Sequence, residues 1–171
     1  QNYEVVLIDN APLVDHSADF SAACPNLKLI INPDNIGFAA ANNQGMSIAE
    51  GDFFFLLNND TIVTEGFFEI CLESFKNTKI GAISPLICYY ESGERIQFAG
   101  FTPLNWRGRN ELIGQHQVGT GQFQGTKATP YVHGAAMIIR RSVWEKVGGM
   151  SEDFFLYYEE LAWSEAIRAA G

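Results

Sequence analysis

Short apolar runs alternate with helix-compatible segments through the first half of this 171-residue chain, which predicts an α/β fold with a mostly parallel central sheet flanked by helices. Two further observations support that class. Two apolar runs stop abruptly at polar, acid-containing sequences, Asp9-Asn10 and Asn58-Asn59-Asp60, as buried parallel strands do at their carboxyl ends. After Pro85 the pattern changes to a hairpin and a long irregular stretch, which adds a smaller antiparallel part.

The elements follow in order. Tyr3 to Ile8 is a mostly apolar strand closed by Asp9-Asn10. Asn10 to Cys24 is polar and mixed, with room for one short helix. Lys28 to Ile31 is a second brief strand, ended by the turn formers Asn32-Pro33-Asp34-Asn35. Phe38 to Ala49 is built of small, helix-compatible residues with Gly51 as its stop. Phe53 to Leu57 is a continuous apolar strand ending at Asn58-Asn59-Asp60. Thr64 is placed to cap a helix on which Phe67, Phe68, Cys71, Leu72 and Phe75 recur at helical spacing. Ile80 to Ser84 reads as one more strand, and Leu86 to Tyr90 with Arg95 to Phe98 as the hairpin. Asn105 to Thr129 is Gly- and Gln-rich without periodicity, and loops of that length are usually functional. Tyr131 to Ile139 resumes as a strand, Ser142 caps a short helix that stops at Gly148-Gly149, and Tyr157 to Ala170 is the final helix.

Composition narrows the function. Hydrophobic residues make up 47% and charged residues 18%, enough for a real core and against dominant disorder. Eleven Lys and Arg against twenty Asp and Glu give a net charge of −9, which argues against binding long nucleic acids through their phosphates. Cys24, Cys71 and Cys88 form no CxxC pair, so a disulfide framework or a structural zinc site is not expected and free thiols of a reducing cytoplasm are. No apolar run has the length of a membrane span, and no signal-peptide pattern is present.

Open α/β sheets bind ligands beyond the carboxyl ends of their strands. Asp9 and Asp60 stand at such ends, where a carboxylate can hold a hard cation or accept hydrogen bonds from a base or ribose. Turn formation accounts for the same residues equally simply. Gly37 precedes a helix whose bare amide groups favour anions, and the small residues Ala39 to Ala41 and Gly45 admit close approach, either of a ligand or of the underlying sheet. The segment is not a GxGxxG fingerprint, which disfavours a Rossmann dinucleotide site. Glu159 and Glu160 open the last helix, as a surface pair suited to its dipole or as a general base beside an acceptor hydroxyl. His133, with Gly134, sits at the edge of the same region as a structural or a site imidazole.

Taken together, these segments resemble the inverting nucleotide-sugar glycosyltransferases of family two, which have the GT-A fold, and within them the rhamnosyltransferase-type enzymes of bacterial surface polysaccharide synthesis. The resemblance rests on Val6-Leu7-Ile8-Asp9-Asn10-Ala11, on Asn35-Ile36-Gly37-Phe38 through Asn42-Asn43-Gln44-Gly45, and on Leu56-Leu57-Asn58-Asn59-Asp60-Thr61. It continues through His133-Gly134 to Arg140-Arg141, then Gly148-Gly149-Met150 and Phe154 to Glu160. It implies Asp9 at the nucleotide base, and Asn35, Gly37, Asn42, Asn43, Asn58 and Asn59 around the nucleotide sugar. It also implies Asp60 on Mg2+ or Mn2+, His133 and Gly134 on the acceptor side, and Glu160, paired with Glu159, as the base.

The implied reaction moves a sugar from a nucleotide-diphospho-sugar to an acceptor hydroxyl, glycan or lipid-linked, with inversion. The implied setting is the cytoplasm, peripheral at the inner membrane face. Three positions depart from the family pattern: Asn58 and Glu160 stand where Asp is usual, and Ala162 replaces a second Asp. The family opens with a strand and helix before the segment matching Tyr3, so the expectation is one truncated domain. Residues 1–84 form its donor half and 85–171 its acceptor half. Exposed strand edges then favour homo-oligomers. The alternative expectation is a noncatalytic module that binds nucleotide sugars or glycans. A nucleotidyltransferase is disfavoured because its basic, Gly-rich N-terminal loop has no match here.

Overall fold

The computed structural model describes residues 3–171. Its first unit is β1 (Val6–Asn10), α1 (Ser17–Ala23), β2 (Lys28–Asn32) and α2 (Phe38–Ile48). β1 and β2 pair in parallel with Asp9 opposite Ile31. α2 packs back over β1, and Gly45 is the contact: a Cβ there would lie 3.6 Å from Ile8. Gly45 therefore serves the close approach of helix to sheet.

The second unit is β3 (Phe53–Leu57), α3 (Phe67–Ser74), β4 (Ala82–Ile83), β7 (Ala136–Arg140), α4 (Arg141–Val147) and α5 (Glu159–Ala169). β5 (Ile87–Cys88) and β6 (Ile96–Phe98) form the expected hairpin around a 3-10 turn at Tyr90–Ser92. The long stretch after it stays irregular but is tied to β6 and its continuation, with the Ile96 amide on the Gln117 carbonyl and the Ala99 amide on the Ile113 carbonyl.

The expectation of a mostly parallel sheet is overturned. β7 lies between β3 and β4 and is antiparallel to both, the hairpin is antiparallel, and among the described residues only β1 and β2 are parallel. Phe53 to Leu57 is buried or half-buried along most of its length, and a run covered on two faces looks alike whichever way its partner points. Direction is decided by β7, which arrives from far along the chain and enters where β3 leaves: Leu57 faces Ala136, and the Asn58 amide donates to the Ala135 carbonyl at 3.0 Å.

β7 also explains how the halves cohere. Met137 and Ile139 point to one face, where they meet Ala39 and Met46 of α2, Phe54 and Leu56 of β3 and Trp163 of α5. Ile138 points to the other face, against Cys71 of α3 and Phe75 just beyond that helix. The core thus draws on both sides of residue 85. At the far end of β7, the Arg141 Nε donates to the Gly51 carbonyl at 2.8 Å and the guanidinium stacks over Phe54. Arg140 likewise caps Phe75 and donates to the Ile80 carbonyl. These two residues close the end of the sheet remote from Asn58–Asp60.

Several boundaries move for local reasons. β1 runs on through Asn10 because β2 pairs with it to Asn32. The strand expected from Tyr131 begins only at Ala136, after a tight turn in which the Ala136 amide bonds the His133 carbonyl. The strand expected over Ile80 to Ser84 shrinks to two residues. α3 is preceded by Gly66 in a left-handed conformation, with no side-chain cap from Thr64. α4 begins at Arg141, so Ser142 lies within it and does not cap it. α5 begins at Glu159 because Tyr157 and Tyr158 are both left-handed. All three cysteines are free. Among the described residues, no helix is long and apolar enough to cross a membrane.

Candidate functional site

The ends of β1, β2 and β3, the entry to β7 and the first turns of α2 and α5 together frame the candidate site. Asn10, at the end of β1, organises one wall of this frame. Its Nδ2 donates to Asn35 Oδ1 at 2.7 Å, and its Oδ1 accepts from the Ile36 amide and from Asn32 Nδ2, both at 3.2 Å. Asn35 Oδ1 also accepts from the Gly37 amide at 3.0 Å, while buried Asn32 exchanges two bonds with Gln44. This carboxamide network fixes the start of α2 against the two strand ends, and it satisfies a buried Asn that would otherwise be costly. Asn32 and Gln44 were not expected in such a role. The available signal was a polar residue closing an apolar strand.

Gly37 begins α2 at φ 89° and ψ 169°, and the Phe155 carbonyl lies across it. A Cβ at Gly37 would approach that oxygen to 2.9 Å, and the Phe38 amide donates to it at 3.4 Å. The segment from Phe154 to Tyr158 therefore straps the helix start before turning into α5. Asn42 and Asn43 behave differently from the neighbours they were grouped with. Asn42 Nδ2 donates to the Phe38 carbonyl one turn back, and the Asn43 carboxamide is bonded to Met150 and Glu152.

On the opposite wall, Asn58 continues β3, and Thr61 folds back onto its carbonyl through both amide and hydroxyl, making a turn that carries Asn59 and Asp60 outward. Asn59 and Asp60 are exposed, and none of the hydrogen bonds among the described residues uses the Asp60 carboxylate. The Asp9 carboxylate, half-buried on β1, is likewise not drawn into the Asn10 network.

Gly134 brings the acids into this frame. A Cβ there would lie 3.6 Å from the Phe38 ring and 4.0 Å from the Glu160 carboxyl carbon, so Glu160, Gly134 and the start of α2 are neighbours. Burial, reinforced by the adjacent Glu159 charge, holds the Glu160 carboxyl above its ordinary 4.5. Glu159 is 3% exposed and turned inward, with one carboxylate oxygen lacking a partner. Of the pair, Glu160 is the one facing the site.

His133 packs between Phe98, at 4.7 Å between ring centres, and Phe101, stacked at 6.1 Å. Burial there lowers its proton affinity below the ordinary 6.5. Its Nδ1 accepts from the Ala135 amide at 3.1 Å, which leaves the proton of the neutral ring on Nε2. Its backbone amide is held by Ser84 Oγ at 2.8 Å.

The donor set can be tested against the divalent cation implied by the sequence. Among the described residues no cluster of three His, Cys, Asp or Glu side chains exists, so no closed protein cage is present. A free carboxylate on an exposed turn instead suits Mg2+ or Mn2+, which take one or two carboxylates and complete their shells with phosphate oxygens and water. Asp60 fits such a shared site.

With this geometry in hand, the family model for glycosyl transferase family 2 matches residues 1–148. The chain belongs to that family. The match ends before Glu159 and Glu160. Among curated relatives, the low-salt glycan biosynthesis hexosyltransferase Agl10 of Haloferax volcanii is 27% identical over 169 residues, covering 92% of this chain. A pre-mycofactocin glycosyltransferase of Mycobacterium tuberculosis is 26% identical over 148 residues, covering 86% of this chain. This chain spans 51% and 30% of those two proteins.

Two solved structures share the fold. The mannosyltransferase PcManGT from Pyrobaculum calidifontis, in complex with GDP-Man and Mn2+, superposes with a TM-score of 0.63 at 18% identity, over 98% of this chain and 42% of its own. GalNAc-T7 with UDP, GalNAc and Mn2+ gives 0.71 at 17%, over 96% of this chain and 34% of its own. Both likenesses identify the fold as GT-A.

Proposed function

We propose that this chain carries the catalytic centre of a metal-assisted, inverting glycosyltransferase that moves a sugar from a nucleotide-diphospho-sugar to an acceptor hydroxyl. The observation that carries this reading is the meeting of Glu160 with Gly134 and the start of α2, on the side where the Asn58–Asp60 turn also emerges. Asp9 is the contact for the nucleotide base. The Gly37 end of α2, ordered by Asn35, faces the donor together with Asn58 and Asn59. The His133–Gly134 turn lines the acceptor side.

Glu160 accepts the proton of the acceptor hydroxyl. The freed oxygen attacks the anomeric carbon from the face opposite the diphosphate, and the bond to the diphosphate breaks with its electron pair leaving on the phosphate oxygen. Partial burial suits Glu160 to this task, because a carboxylate with raised proton affinity is the stronger base. Asp60 would hold a divalent cation, whose positive charge would stabilise the departing diphosphate. Such a cation also reconciles a chain of net charge −9 with an anionic donor. A rhamnosyltransferase-like donor preference, a glycan or lipid-linked acceptor in bacterial surface polysaccharide synthesis, and a peripheral place at the cytoplasmic membrane face complete the proposal.

Thermal unfolding with a panel of nucleoside diphosphates, with and without Mn2+, tests the donor site. A ligand at about 100 times its Kd adds about 2.7 kcal/mol. The expected result is a Mn2+-dependent shift that Asp60→Ala removes. No shift with any nucleoside diphosphate overturns the donor site. Glu160→Gln in the full-length protein should keep the shift and abolish transfer. Binding without transfer in the unaltered protein would identify a noncatalytic module instead.

A further inference from the structure

Asn43 lies in the middle of α2, within the segment whose resemblance assigns it to the nucleotide sugar, yet its carboxamide is committed elsewhere. Nδ2 donates to the Met150 carbonyl at 2.9 Å and to Glu152 Oε1 at 2.9 Å, and Oδ1 accepts from the Met150 amide at 2.9 Å. The side chain thereby pairs with both backbone groups of Met150, as a neighbouring strand would. The backbone at Gly149 comes so close that a Cβ there would land on the Asn43 carboxamide. A larger residue at 149 and an intact Asn43 contact are incompatible.

These bonds hold the first half of the connection between α4 and α5, at Met150 and Glu152. Its beginning is held at the Gly148 carbonyl by Trp163 Nε1 at 2.9 Å, and its later part at the Phe155 carbonyl by the Phe38 amide. The chain then passes through left-handed Tyr157 and Tyr158 into Glu159 and Glu160. A connection without regular structure has few bonds of its own, so its course is set by such anchors. Two of the three come from α2. The Glu160 carboxyl and the ring of Phe38, on that same helix, both border Gly134.

We propose that Asn43 is a positioning residue: by pinning residues 149–152 to α2 it fixes where α5 begins and so where the Glu160 carboxylate stands, and it does not touch the donor. This rests on the reading of Glu160 as the base. It makes α2 one rigid part that presents Gly37 at its donor end and, through Asn43, holds the base on the acceptor side. A displacement of about 1 Å at a reacting group can cost on the order of 100-fold in rate, so such an anchor matters to catalysis more than to binding.

The decisive readout is the titration of the Glu160 side-chain carboxyl, followed by 13C NMR and assigned with Glu160→Gln. In Asn43→Ala the freed connection admits water, and the Glu160 midpoint should move down toward the ordinary 4.5. Glu159 is present in both proteins, so its charge cancels in the comparison. Glu152→Gln retains an acceptor for Nδ2 and should leave the midpoint in place. An unchanged midpoint in folded Asn43→Ala overturns the proposal.

If that variant does not fold, Gly149→Ala separates the same pair from the other side and should give the same downward movement. In the unaltered protein, the Met150 amide should be protected from hydrogen exchange, and fast exchange there also overturns the proposal. Affinity for UDP and GDP with Mn2+ should stay within about twofold in Asn43→Ala. Weakened nucleotide binding with an unmoved Glu160 midpoint would make Asn43 a donor contact after all. If Glu160→Gln retains transfer, the base assignment fails while the titration still reports whether Asn43 holds that carboxyl, so the two failures are distinguishable.

Discussion

Replacing Gly37 by alanine tests the geometry at the mouth of the site without any ligand. Two costs add. At φ 89° and ψ 169° the backbone occupies a region essentially closed to residues with a Cβ, worth about 1–3 kcal/mol. The new methyl would also stand 2.9 Å from the Phe155 carbonyl oxygen and 3.3 Å from its ring. The first of these is a backbone atom, so the strap must retreat. The Phe38 amide bond to that carbonyl is already 3.4 Å long and would be lost, at about 0.5–1 kcal/mol.

The sum is about 2–4 kcal/mol, which for a domain of this size lowers Tm by about 5–15 °C. Thermal unfolding by circular dichroism at neutral pH measures it. Gly66→Ala is the control: Gly66 is also left-handed, but a Cβ there meets nothing within 4 Å. Only the backbone cost applies, about 1–2 kcal/mol. If Gly37→Ala melts with the unaltered protein, or no lower than Gly66→Ala, the crossing of the Phe155 strap over the helix start is not as described.

Three further outcomes follow from burial and charge. Glu160 has a raised proton affinity in the folded state, so the stability linked to it is fully present below the ordinary 4.5 and is lost as pH rises through the folded value. Glu160→Gln should therefore be more stable than the unaltered protein in urea titrations at neutral pH, and the difference should fade toward pH 4. His133 has the opposite linkage: its depressed proton affinity contributes stability above the ordinary 6.5 that is lost as pH falls through the lower folded value. His133→Phe should flatten that part of the acid limb. Ile139 is 0% exposed in β7, so Ile139→Ala should lower the free energy of urea unfolding by about 2–5 kcal/mol.

The sequence was most legible where a pattern is local. The runs at Tyr3, Lys28 and Phe53, the small-residue helix from Phe38 and the hairpin after Pro85 all stand close to where they were expected. What it hid was long-range. An apolar run does not say which way its neighbour runs, so the antiparallel insertion of β7 between β3 and β4 could not be read from Ala136 to Arg140 alone. The same limit applies to the site. The roles proposed for Asp60 and Glu160 follow from their residue types. Asn43 carries a contact to Met150 across 107 residues of chain, and nothing local distinguishes a carboxamide that binds a ligand from one that binds the backbone.

That ambiguity changes how a motif should be divided. The stretch Asn35–Gly45 contains residues that face in three directions. Asn35 and Gly37 shape the helix start beside the strand ends, Gly45 lets the helix settle on Ile8, and Asn43 grips the connection to α5. The stretch from His133 to Arg141 divides likewise. Gly134 stands beside Glu160, whereas Arg140 and Arg141 lock the opposite end of β7. Substitutions within one such motif should therefore sort by direction: changes at Gly37 or Gly134 alter the site itself, and changes at Gly45 or Arg141 act through the packing of the sheet. Asn43 belongs to neither group, because its carboxamide ties α2 to the connection at Met150 and Glu152 that leads into α5.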